Sequence, residues 1–513
     1  RALCVLYRSW KNQAGVSLPP RPLVFIKEAV LGADLTIVGL GPGSPELISR
    51  SAWESLTSSK VVYFRTGQHP VFNALPPHVE LNTFDHLYEE IDEFEGVYTS
   101  IVNNIIEEVR GNPPVVYAVP GDPTIGEATV SALLRLASVE NLSVRVLHGI
   151  SFIEPCLGLL GIDALDGLSI YDALEIAGRH HPPFPPDTPA LVGQLYSKLV
   201  AADVKLALLN QYPPEHPASL LHMAGTDEGW REDLPLAEID HSKSIGYMTT
   251  LFLPELPVES AFENFQETVA HLRAPDGCPW DIQQTHQSLR NHLMEEAYEA
   301  LQALDTEDMG ALQEELGDLL LQIVLHAQIA TEEGFFTTSD VIASIQSKII
   351  RRHPHVFADL DIEDVDQVLL NWEALKEAER ENDGADKGIL DGVPIDLPAL
   401  TQAEEIQARV ARVGFDWPHI DGVLEKLEEE LAEVQEAIED GHVASEVGDL
   451  LFAVVNYARW RGVDPEAALR EANRRFRRRF TDVEKQARVA KRKLSDLTID
   501  ELEEFWQAAK KRS

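Results

Sequence analysis

The sequence contains few cysteines and no long apolar run. Cys4, Cys156 and Cys278 are the 3 cysteines among 513 residues, and they lie far apart in the chain. Such spacing offers neither a disulfide framework nor a zinc-binding cluster, and it is typical of a reducing compartment. No stretch approaches about 18 uninterrupted apolar residues, the length that crosses a bilayer. We therefore predict a cytoplasmic protein without a membrane-spanning helix.

Basic residues are also scarce. The chain has 43 Lys plus Arg against 85 Asp plus Glu, which gives a formal net charge of −42. A surface with this charge repels nucleic-acid backbones and anionic membranes, so neither is expected as a bulk partner. Hydrophobic residues make up 44% and charged residues 25%, the ordinary composition of a globular protein. A chain of this length is expected to form about three or four domains.

Two acidic pairs with helical spacing lie within residues 292–352. Glu296 and Glu299 are three residues apart, as are Glu315 and Asp318, so each pair shares one face of a helix. Two such helices side by side would bring four carboxylates together, and these would repel one another unless a cation lay between them. Oxygen ligands favour a hard ion such as Mg²⁺ or Mn²⁺, which is completed by substrate phosphates.

A basic pair follows at the same spacing. Lys348 and Arg352 are four residues apart on a third predicted helix and could bind those phosphates. The alternative is that a single Glu-x-x-Glu pattern is only a solvated helix face, which is the common case. The pattern is repeated in this chain, however, and an internal repeat is weighed before any local interpretation.

The second copy of the motif lies in residues 429–479. It has the same Glu-x-x-Glu pair, the same Glu-x-Gly-Asp-Leu-Leu segment and the same basic pair, and a tryptophan precedes each copy. The members of the second copy are Glu430, Glu433, Glu446, Asp449, Arg475 and Arg479, and the two tryptophans are Trp280 and Trp417. The repetition favours two metal sites over two solvated helix faces.

The first half of the chain has a different pattern. Three apolar segments, 35–40, 115–119 and 144–147, read as buried strands, and each runs into a loop that contains glycine. Helical stretches separate them, so we predict an α/β domain with a site at the strand ends. The first loop has Gly39, Gly41 and Gly43. It resembles an incomplete dinucleotide-binding turn, and a tight turn without a ligand is the alternative.

These three loops carry a specific resemblance. Gly-Leu-Gly-Pro-Gly-Ser from residue 39, Val-Pro-Gly-Asp-Pro from residue 119 and Gly-Ile-Ser-Phe from residue 149 resemble the tetrapyrrole methylase family over residues 35–255. The resemblance implies that S-adenosylmethionine binds at the second loop, with the first loop lining the adjacent cleft. The residues implied for this site are Gly121, Asp122, Ile125 and Gly126, with Gly39, Gly41 and Gly43. Members often have two serines in the third loop, whereas Phe152 follows a single Ser151 here.

Two further predictions concern the second lobe of this domain. The proline-rich segment 180–187 is expected to link the two lobes. Residues 204–209 and 245–253 read as strands of the second lobe.

The second half resembles the MazG family of nucleoside triphosphate pyrophosphohydrolases over residues 260–490. The motifs are Gly-Cys-Pro-Trp-Asp from residue 277, Glu-Glu-x-x-Glu from residue 295, Glu-Glu-Leu-Gly-Asp-Leu-Leu from residue 314 and Arg-Arg-His-Pro-His-Val-Phe from residue 351. The resemblance continues through Asn371-Trp372-Glu373 to Val-Gly-Phe-Asp-Trp ending at Trp417. It implies an enzyme that cleaves nucleoside triphosphates to monophosphate and pyrophosphate. It also favours the second repeat as the catalytic one.

Such a reaction requires water to attack the α-phosphorus while the charge of the pyrophosphate is stabilised. Four carboxylates per repeat would hold the metal, and the basic pairs Lys348 with Arg352 and Arg475 with Arg479 would bind phosphate. Glu295 and Glu429, next to the ligand positions, are candidates for activating the water.

The predicted fold is multidomain, with a two-lobed α/β tetrapyrrole-methylase-like domain followed by two all-α MazG-type helical repeats. The predicted ranges are an extension of unknown role at 1–34, the methylase-like domain at 35–258, the first repeat at 259–381, a linker at 382–398, the second repeat at 399–490 and a charged helix at 491–513. The extension has no initiating Met and lacks the features of a signal peptide. Helices are expected at about 310–332 and 499–511, and Thr338 with Asp340 is expected to cap the helix that carries Lys348.

Three functions remain open from the sequence. The first is a pyrophosphohydrolase that clears nucleotides and carries a fused methylase-like domain. The second is a methyltransferase regulated by nucleotide-binding helices, and the third is a non-catalytic nucleotide sensor. Each repeat is short for an independent core, so we expect the repeats to pack together or to pair across a homodimer. The preferred base and the methyl acceptor are not indicated.

Overall fold

The computed structural model describes residues 32–91, 93–358, 388–440 and 442–512. It divides into two compact units, Arg1–Gln283 and Gln284–Ser513. Most of the predicted extension, the Asn371-Trp372-Glu373 motif and the first part of the predicted linker lie outside the described residues. Within the described residues, no helix is both long enough and apolar enough to cross a membrane.

The first unit opens with a parallel five-stranded sheet. The strand order is β3-β2-β4-β1-β5, and the strands are β1 Leu35–Gly39, β2 Val61–Phe64, β3 Glu80–Thr83, β4 Val115–Val119 and β5 Val144–Leu147. The helices between and after them are α1 Arg50–Ser58, α2 Pro70–Ala74, α3 Asp85–Glu90, α4 Phe94–Gly111, α5 Ala128–Glu140 and α6 Ile153–Leu160. All five residues of β4 are buried, because helices cover both faces of a parallel sheet. The three strands predicted from the sequence are confirmed as the neighbours β4, β1 and β5.

A second five-stranded sheet completes this unit. Its order is β6-β7-β10-β8-β9, and its strands are β6 Ser169–Asp172, β7 Ala190–Gly193, β8 Pro217–His222, β9 Trp230–Pro235 and β10 Thr249–Leu253. Only β6 and β7 pair in parallel; the remaining pairs are antiparallel. The short helix α7 Ala173–Ala177 and the helix α8 Lys198–Leu208 belong to this lobe. The predicted two-lobed α/β fold is therefore confirmed.

Two local predictions for this lobe are wrong. Residues 204–209 are not a strand, because they belong to α8 and its C-terminal end. Val200, Val204 and Leu208 recur at helical spacing and are buried, and a short apolar run cannot by itself distinguish a strand from a buried helix. The segment 180–187 does not link the lobes, because β6 already belongs to the second sheet. Phe184 is buried in the core of that lobe.

The second unit is helical in its described residues. Helices α9 Phe262–Arg273 and α10 Pro279–Ile282 still belong to the first unit. The helices of the second unit are α11 Arg290–Thr306, α12 Met309–Glu332, α13 Thr338–Arg352, α14 Pro354–Phe357, α15 Ala399–Arg412, α16 Ile420–Asp440, α17 Val443–Trp460, α18 Pro465–Val489 and α19 Ile499–Arg512. Helix α11 packs against α12, and α16 packs against α17. Each repeat therefore contains a pair of consecutive helices that pack on each other. The predicted helices at 310–332 and 499–511 are confirmed as α12 and α19.

The predicted cap of α13 is displaced by one residue. Thr337, not Thr338, is the N-cap, and its hydroxyl accepts from the backbone N–H of Asp340. The Asp340 carboxylate accepts in return from the backbone N–H of Thr337, which completes a capping box. Because Thr337 and Thr338 are adjacent, the sequence contains two equivalent candidates for the N-cap, and only the backbone conformation distinguishes them.

The unit division lies at 283/284, whereas the sequence predicts the start of the first repeat at 259. Helix α9 is attached to the first unit through Asp187, whose carboxylate accepts from Ala261 N at 3.1 Å and from Asn264 Nδ2 at 2.7 Å. The predicted domain limits stay predictions.

Candidate functional site

Three carboxylates of the first repeat converge between α11 and α12. Glu296 on α11 and Glu315 and Asp318 on α12 each place a carboxylate oxygen within 4.8 Å of the other two. All three side chains are half-buried. Glu299, the fourth predicted ligand, is exposed and lies outside this trio, and Glu295 is exposed too. An oxygen-only set of this kind suits a hard divalent ion.

The carboxylates of this cluster repel one another. Desolvation raises the pKa of Glu296, and so do the charges of Asp318 and Glu299. Desolvation and the charges of Glu299 and Glu314 raise the pKa of Glu315. Glu299 therefore acts on the site electrostatically although it lies outside the trio. Like charges held this close favour either protonation or a bound cation.

The second repeat forms a related cluster between α16 and α17. Glu430, Glu433 and Glu446 have carboxylate oxygens within 4.8 Å of one another. Glu430 is buried, and among the described residues its Oε2 has no hydrogen-bond partner. Desolvation and the charge of Glu430 raise the pKa of Glu433. Asp449, also a predicted ligand, is exposed and lies outside this trio.

A lysine distinguishes the two clusters, and the sequence interpretation missed it. Nζ of Lys426 lies 2.8 Å from Oε1 of Glu430 and 2.8 Å from Oε1 of Glu429, the predicted water-activating residue. Hydrogen bonds with these two carboxylates raise the pKa of Lys426. His292 holds the equivalent position in the first repeat, with its Nδ1 3.9 Å from Oε2 of Glu295. A basic residue four positions before a glutamate was the available signal.

The basic pairs lie on the helices that follow the carboxylate pairs. Lys348 and Arg352 are on α13, and Arg475 and Arg479 are on α18. Among the described residues, no ion pair joins Lys348 or Arg475 to a member of either trio; Arg475 lies 3.8 Å from Glu471 of its own helix. The structure therefore brings the predicted metal ligands of each repeat partly together, and it does not place these two cations among them.

The three glycine loops of the first unit meet at the carboxyl ends of β1, β4 and β5. A Cβ atom at Gly39 would lie 2.6 Å from Gly149 N and 2.7 Å from Gly121 O, so only glycine allows this approach. Gly41 and Gly121 also exchange two backbone hydrogen bonds, of 3.2 Å and 2.7 Å. These glycines therefore allow the loops to pack on one another, which is a structural requirement independent of any ligand.

Asp122 fastens the second loop to the third. Its Oδ1 accepts from the backbone N–H and the hydroxyl of Thr124, at 2.8 and 2.6 Å. Its Oδ2 accepts from Nδ1 of His148 at 2.9 Å and from Gly149 N at 3.2 Å. Burial acts to raise the pKa of Asp122, but the hydrogen bonds from Thr124 and His148 lower it on balance. The carboxylate is thus used by the protein itself to hold the loops in place.

The exposed part of this site is the segment after Asp122. Ile125 and Gly126 are exposed, and Gln194 Nε2 reaches Gly126 O at 3.5 Å from the second lobe. In the third loop, Ser151 accepts a hydrogen bond from Ile153 N and donates to Glu154, so its hydroxyl serves the start of α6. The ring of Phe152 lies against Gly193, where an added Cβ would approach it to 2.7 Å.

A charged and aromatic cluster borders the same loop and was not predicted. The guanidinium of Arg65, just after β2, forms an ion pair with buried Glu127. Its Nε donates to Tyr88 at 3.1 Å, and it lies 5.7 Å from the ring centroid of Tyr98. Burial raises the pKa of Glu127, although Arg65 opposes the shift. Because Glu127 follows Gly126, this cluster lies beside the exposed segment of the loop.

Models of two protein families match the chain. The model described as MazG nucleotide pyrophosphohydrolase domain matches residues 284–357 and 420–483. The model described as Tetrapyrrole (Corrin/Porphyrin) Methylases matches residues 34–240. The two matched regions of the first model coincide with the two repeats of the acidic motif.

One curated relative is similar along almost the whole chain, and others are similar along about half of it. The chain is 38% identical over 494 residues to the uncharacterized protein YabN of Bacillus subtilis, which covers 94% of this chain and 99% of the relative. It is 45% identical over 251 residues to the nucleoside triphosphate pyrophosphohydrolase/pyrophosphatase MazG of Thermotoga maritima, covering 48% of this chain and 95% of the relative. A nucleoside triphosphate pyrophosphohydrolase of Escherichia coli is 44% identical over 246 residues, which cover 47% of this chain and 93% of the relative.

Two solved structures similar to part of the chain are methyltransferases. A cobalt precorrin-4 methyltransferase is 14% identical, covers 47% of this chain and 98% of its own, and has a TM-score of 0.35. A uroporphyrin-III C-methyl transferase from Thermus thermophilus, complexed with S-adenyl homocysteine, is 20% identical. It covers 43% of this chain and 97% of its own, and has a TM-score of 0.33.

Proposed function

Because this chain belongs to the MazG nucleotide pyrophosphohydrolase family, with a tetrapyrrole methylase domain ahead of its two MazG regions, we propose that it hydrolyses nucleoside triphosphates to monophosphates and pyrophosphate. The observation that supports this most directly is the carboxylate trio, which is present in both repeats. The proposal includes clearance of unwanted nucleotides as the role of the reaction.

The carboxylates fit a divalent cation. Their oxygens lie within 4.8 Å of one another, and their mutual repulsion is relieved when a cation binds. The residues proposed to hold Mg²⁺ or Mn²⁺ are the members of the two trios, Glu296, Glu315 and Asp318 in the first repeat and Glu430, Glu433 and Glu446 in the second. Glu299 and Asp449, which lie outside the trios, are proposed as the fourth ligand of each repeat. Bound there, the ion would supply Lewis-acid polarisation of the phosphate oxygens.

The chain's own residues supply the rest of the chemistry. Glu429 and its counterpart Glu295 are proposed to accept the proton of the attacking water, because each is adjacent to a ligand position. Lys426 holds Glu429 and Glu430 by hydrogen bonds, so it orients both side chains. Arg475 and Arg479, or Lys348 and Arg352, are proposed to bind the triphosphate and stabilise the departing pyrophosphate. We propose the second repeat as the more active, because two arginines can bind phosphate oxygens bidentately.

For the first unit we propose S-adenosylmethionine binding at the glycine loops. The exposed Ile125 and Gly126, next to loops fixed by Asp122, are available to a ligand at the strand ends. Gly39, Gly41, Gly43 and Gly121 keep the loops compact around that position. When bound, the cofactor would supply an activated methyl group; the acceptor is left open.

The remaining predictions are part of the proposal. They are the domain ranges predicted from the sequence, a cytoplasmic location and assembly as a homodimer. The homodimer is supported by the many large apolar side chains that stay exposed in the helical unit.

The test is product analysis with a panel of nucleoside triphosphates and Mg²⁺ or Mn²⁺. We expect pyrophosphate and monophosphate in equal amounts. We expect no pyrophosphate release after a chelator is added, because without a cation the carboxylates repel the negatively charged triphosphate. Release of orthophosphate with a diphosphate product would contradict attack at the α-phosphorus.

A further inference from the structure

Asp305 is an acidic residue at a position where an isolated helix favours a basic one. It is the next-to-last residue of α11, in the first repeat, and no basic residue lies in that last turn. The carbonyl groups at the C-terminal end of a helix carry a partial negative charge, so a carboxylate there is unfavourable. The Asp305 side chain is nevertheless only 19% exposed. Its position therefore depends on positive charges from outside α11.

These charges are two arginines of the second repeat. Arg470 and Arg474 are four residues apart on α18 and share one face of that helix. Nε of Arg470 donates to Oδ2 of Asp305 at 3.3 Å, and Nη2 of Arg474 lies 3.3 Å from the same oxygen. The helices that pack most extensively on α18 are α15, α17 and α19. Asp305 thus links the first repeat to the basic helix of the second through side chains.

The ion pairs continue along α18 to a proposed phosphate ligand. Nη2 of Arg474 lies 3.2 Å from Oε2 of Glu471, and Oε1 of Glu471 lies 3.8 Å from Nη1 of Arg475. One carboxylate therefore pairs with two adjacent arginines that would otherwise repel each other. Asp305 neutralises part of the charge of Arg474, which leaves Glu471 available to Arg475. Several charges joined in this way stabilise a geometry better than an isolated surface pair does.

We propose that Asp305 is a positioning residue for the triphosphate site of the second repeat. It orients Arg475 through Arg474 and Glu471, so that the first repeat completes the phosphate-binding part of the second. An arginine that is already oriented loses less conformational freedom when it binds phosphate oxygens. The inference rests on the proposed function, because Arg475 is proposed there as a phosphate ligand.

Steady-state kinetics test this role with Asp305→Asn, which removes the charge and keeps the shape of the side chain. We expect the KM for a nucleoside triphosphate to rise about 3- to 10-fold, the range for coupling within a network of partly exposed charges. We expect kcat to stay within about twofold, because substrate binding is weakened and not the attack of water. Glu307→Gln is the matched control, since Glu307 is exposed and no ion pair joins it to another described residue. That variant should keep the KM of the unmutated protein.

A double-mutant cycle separates positioning from a merely structural link between the repeats. Arg475→Gln should raise KM by itself, and adding Asp305→Asn to it should raise KM no further, because the effect of Asp305 passes through Arg475. The same KM increase from Asp305→Asn in both backgrounds would overturn the proposal. Circular dichroism establishes intact helices. If Asp305→Asn fails to fold, Glu471→Gln takes its place, with the same expected rise and the same dependence on Arg475.

Calorimetry with inorganic triphosphate and Mg²⁺ gives a readout that does not depend on hydrolysis. We expect Asp305→Asn to weaken triphosphate binding by about the same 3- to 10-fold. If the unmutated protein releases no pyrophosphate from nucleoside triphosphates, the proposed function fails, and this binding measurement decides the role of Asp305 alone. In that case, equal triphosphate affinity of the variant and the unmutated protein, or no binding by either, would overturn the inference.

Discussion

At the scale of single residues, the two repeats share one carboxylate pair and differ around it. Glu296 and Glu315 correspond in sequence to Glu430 and Glu446, and these two positions belong to the trio in both repeats. The third member is Asp318 in the first repeat and Glu433 in the second. The shared positions are therefore the ones at which a substitution is most informative.

We predict that Glu446→Gln lowers pyrophosphate release by about 100-fold or more, since even partners outside a metal's ligand shell cost about 10–100-fold. Glu315→Gln is expected to have a smaller effect, because the first repeat offers Lys348 in place of an arginine. Steady-state kinetics of both variants, with circular dichroism to establish intact helices, measure the difference. Equal losses would mean two equivalent sites, and a larger loss from Glu315→Gln would reverse the assignment.

A second prediction concerns Asp34, which joins the start of β1 to β5. Its Oδ2 accepts from Ser143 N at 2.8 Å and from the Ser143 hydroxyl at 2.7 Å, and these hydrogen bonds lower its pKa. A lowered pKa in the folded state stabilises the protein above the ordinary value of 3.8, and this stabilisation is lost as the pH falls through the folded value.

We therefore expect Asp34→Ala to lower the free energy of unfolding by about 1 kcal/mol at pH 7, the usual contribution of such a hydrogen bond. The difference from the unmutated protein should shrink when the pH falls below 3.8. Denaturant titrations at both pH values measure it, and Asp227→Ala is the comparison, because Asp227 is exposed and no side-chain hydrogen bond joins it to another described residue. A difference that grew with acidity would contradict the assigned direction.

At the scale of elements, the basic helix α13 depends on its first turn. Its apolar face is exposed in the chain, so local interactions contribute much of its stability in the absence of a partner. The capping box of Thr337 and Asp340 satisfies N–H groups that the helix itself leaves unpaired. The position of Lys348 and Arg352 therefore depends on a cap at the opposite end of the helix.

Thr337→Ala is predicted to cost about 1 kcal/mol of stability, the typical value for loss of an N-cap side chain. Hydrogen exchange of the α13 amides should report the loss locally. Ser339→Ala is the control, because Ser339 is exposed in the first turn and caps nothing. Equal exchange in the two variants would show that packing, not the cap, holds the helix.

At the scale of the whole molecule, the two proposed sites lie in two different compact units. Asp122 and the glycine loops lie in the first unit, and both carboxylate trios lie in the second. Substitutions in one unit are therefore expected to leave the chemistry of the other unchanged.

Asp122→Ala is predicted to abolish S-adenosylmethionine binding in calorimetry, because the hydrogen bonds that join the second and third loops are lost. Pyrophosphate release should stay at the level of the unmutated protein. If the unmutated protein binds no S-adenosylmethionine, the first unit acts as a scaffold. A parallel loss of hydrolysis would instead reveal coupling between the units.

The sequence by itself determined the elements and their chemical character. Buried parallel strands read as continuous apolar runs, which located β1, β4 and β5, and helical spacing put Glu315 and Asp318 on one face of α12. Repetition of the acidic motif indicated two sites of one kind, and the loop motifs indicated the methylase-like fold. All of these signals are short segments of sequence, such as apolar runs, helical spacings and loop motifs, which a single sequence displays.

The tertiary structure decided which side chains meet. Spacing along a helix cannot tell whether Asp318 or Glu299 joins Glu296 and Glu315, because the answer depends on how α11 and α12 are rotated against each other. The prediction of a strand at residues 204–209 was wrong for a related reason: a short apolar run suits a strand or a buried helix, and these residues form the end of α8, packed in the core of the second lobe. The burial of Glu430, and the exposure of Leu320 on α12 and of Leu451 on α17, exist only once helices pack, because they depend on which faces the neighbouring helices cover.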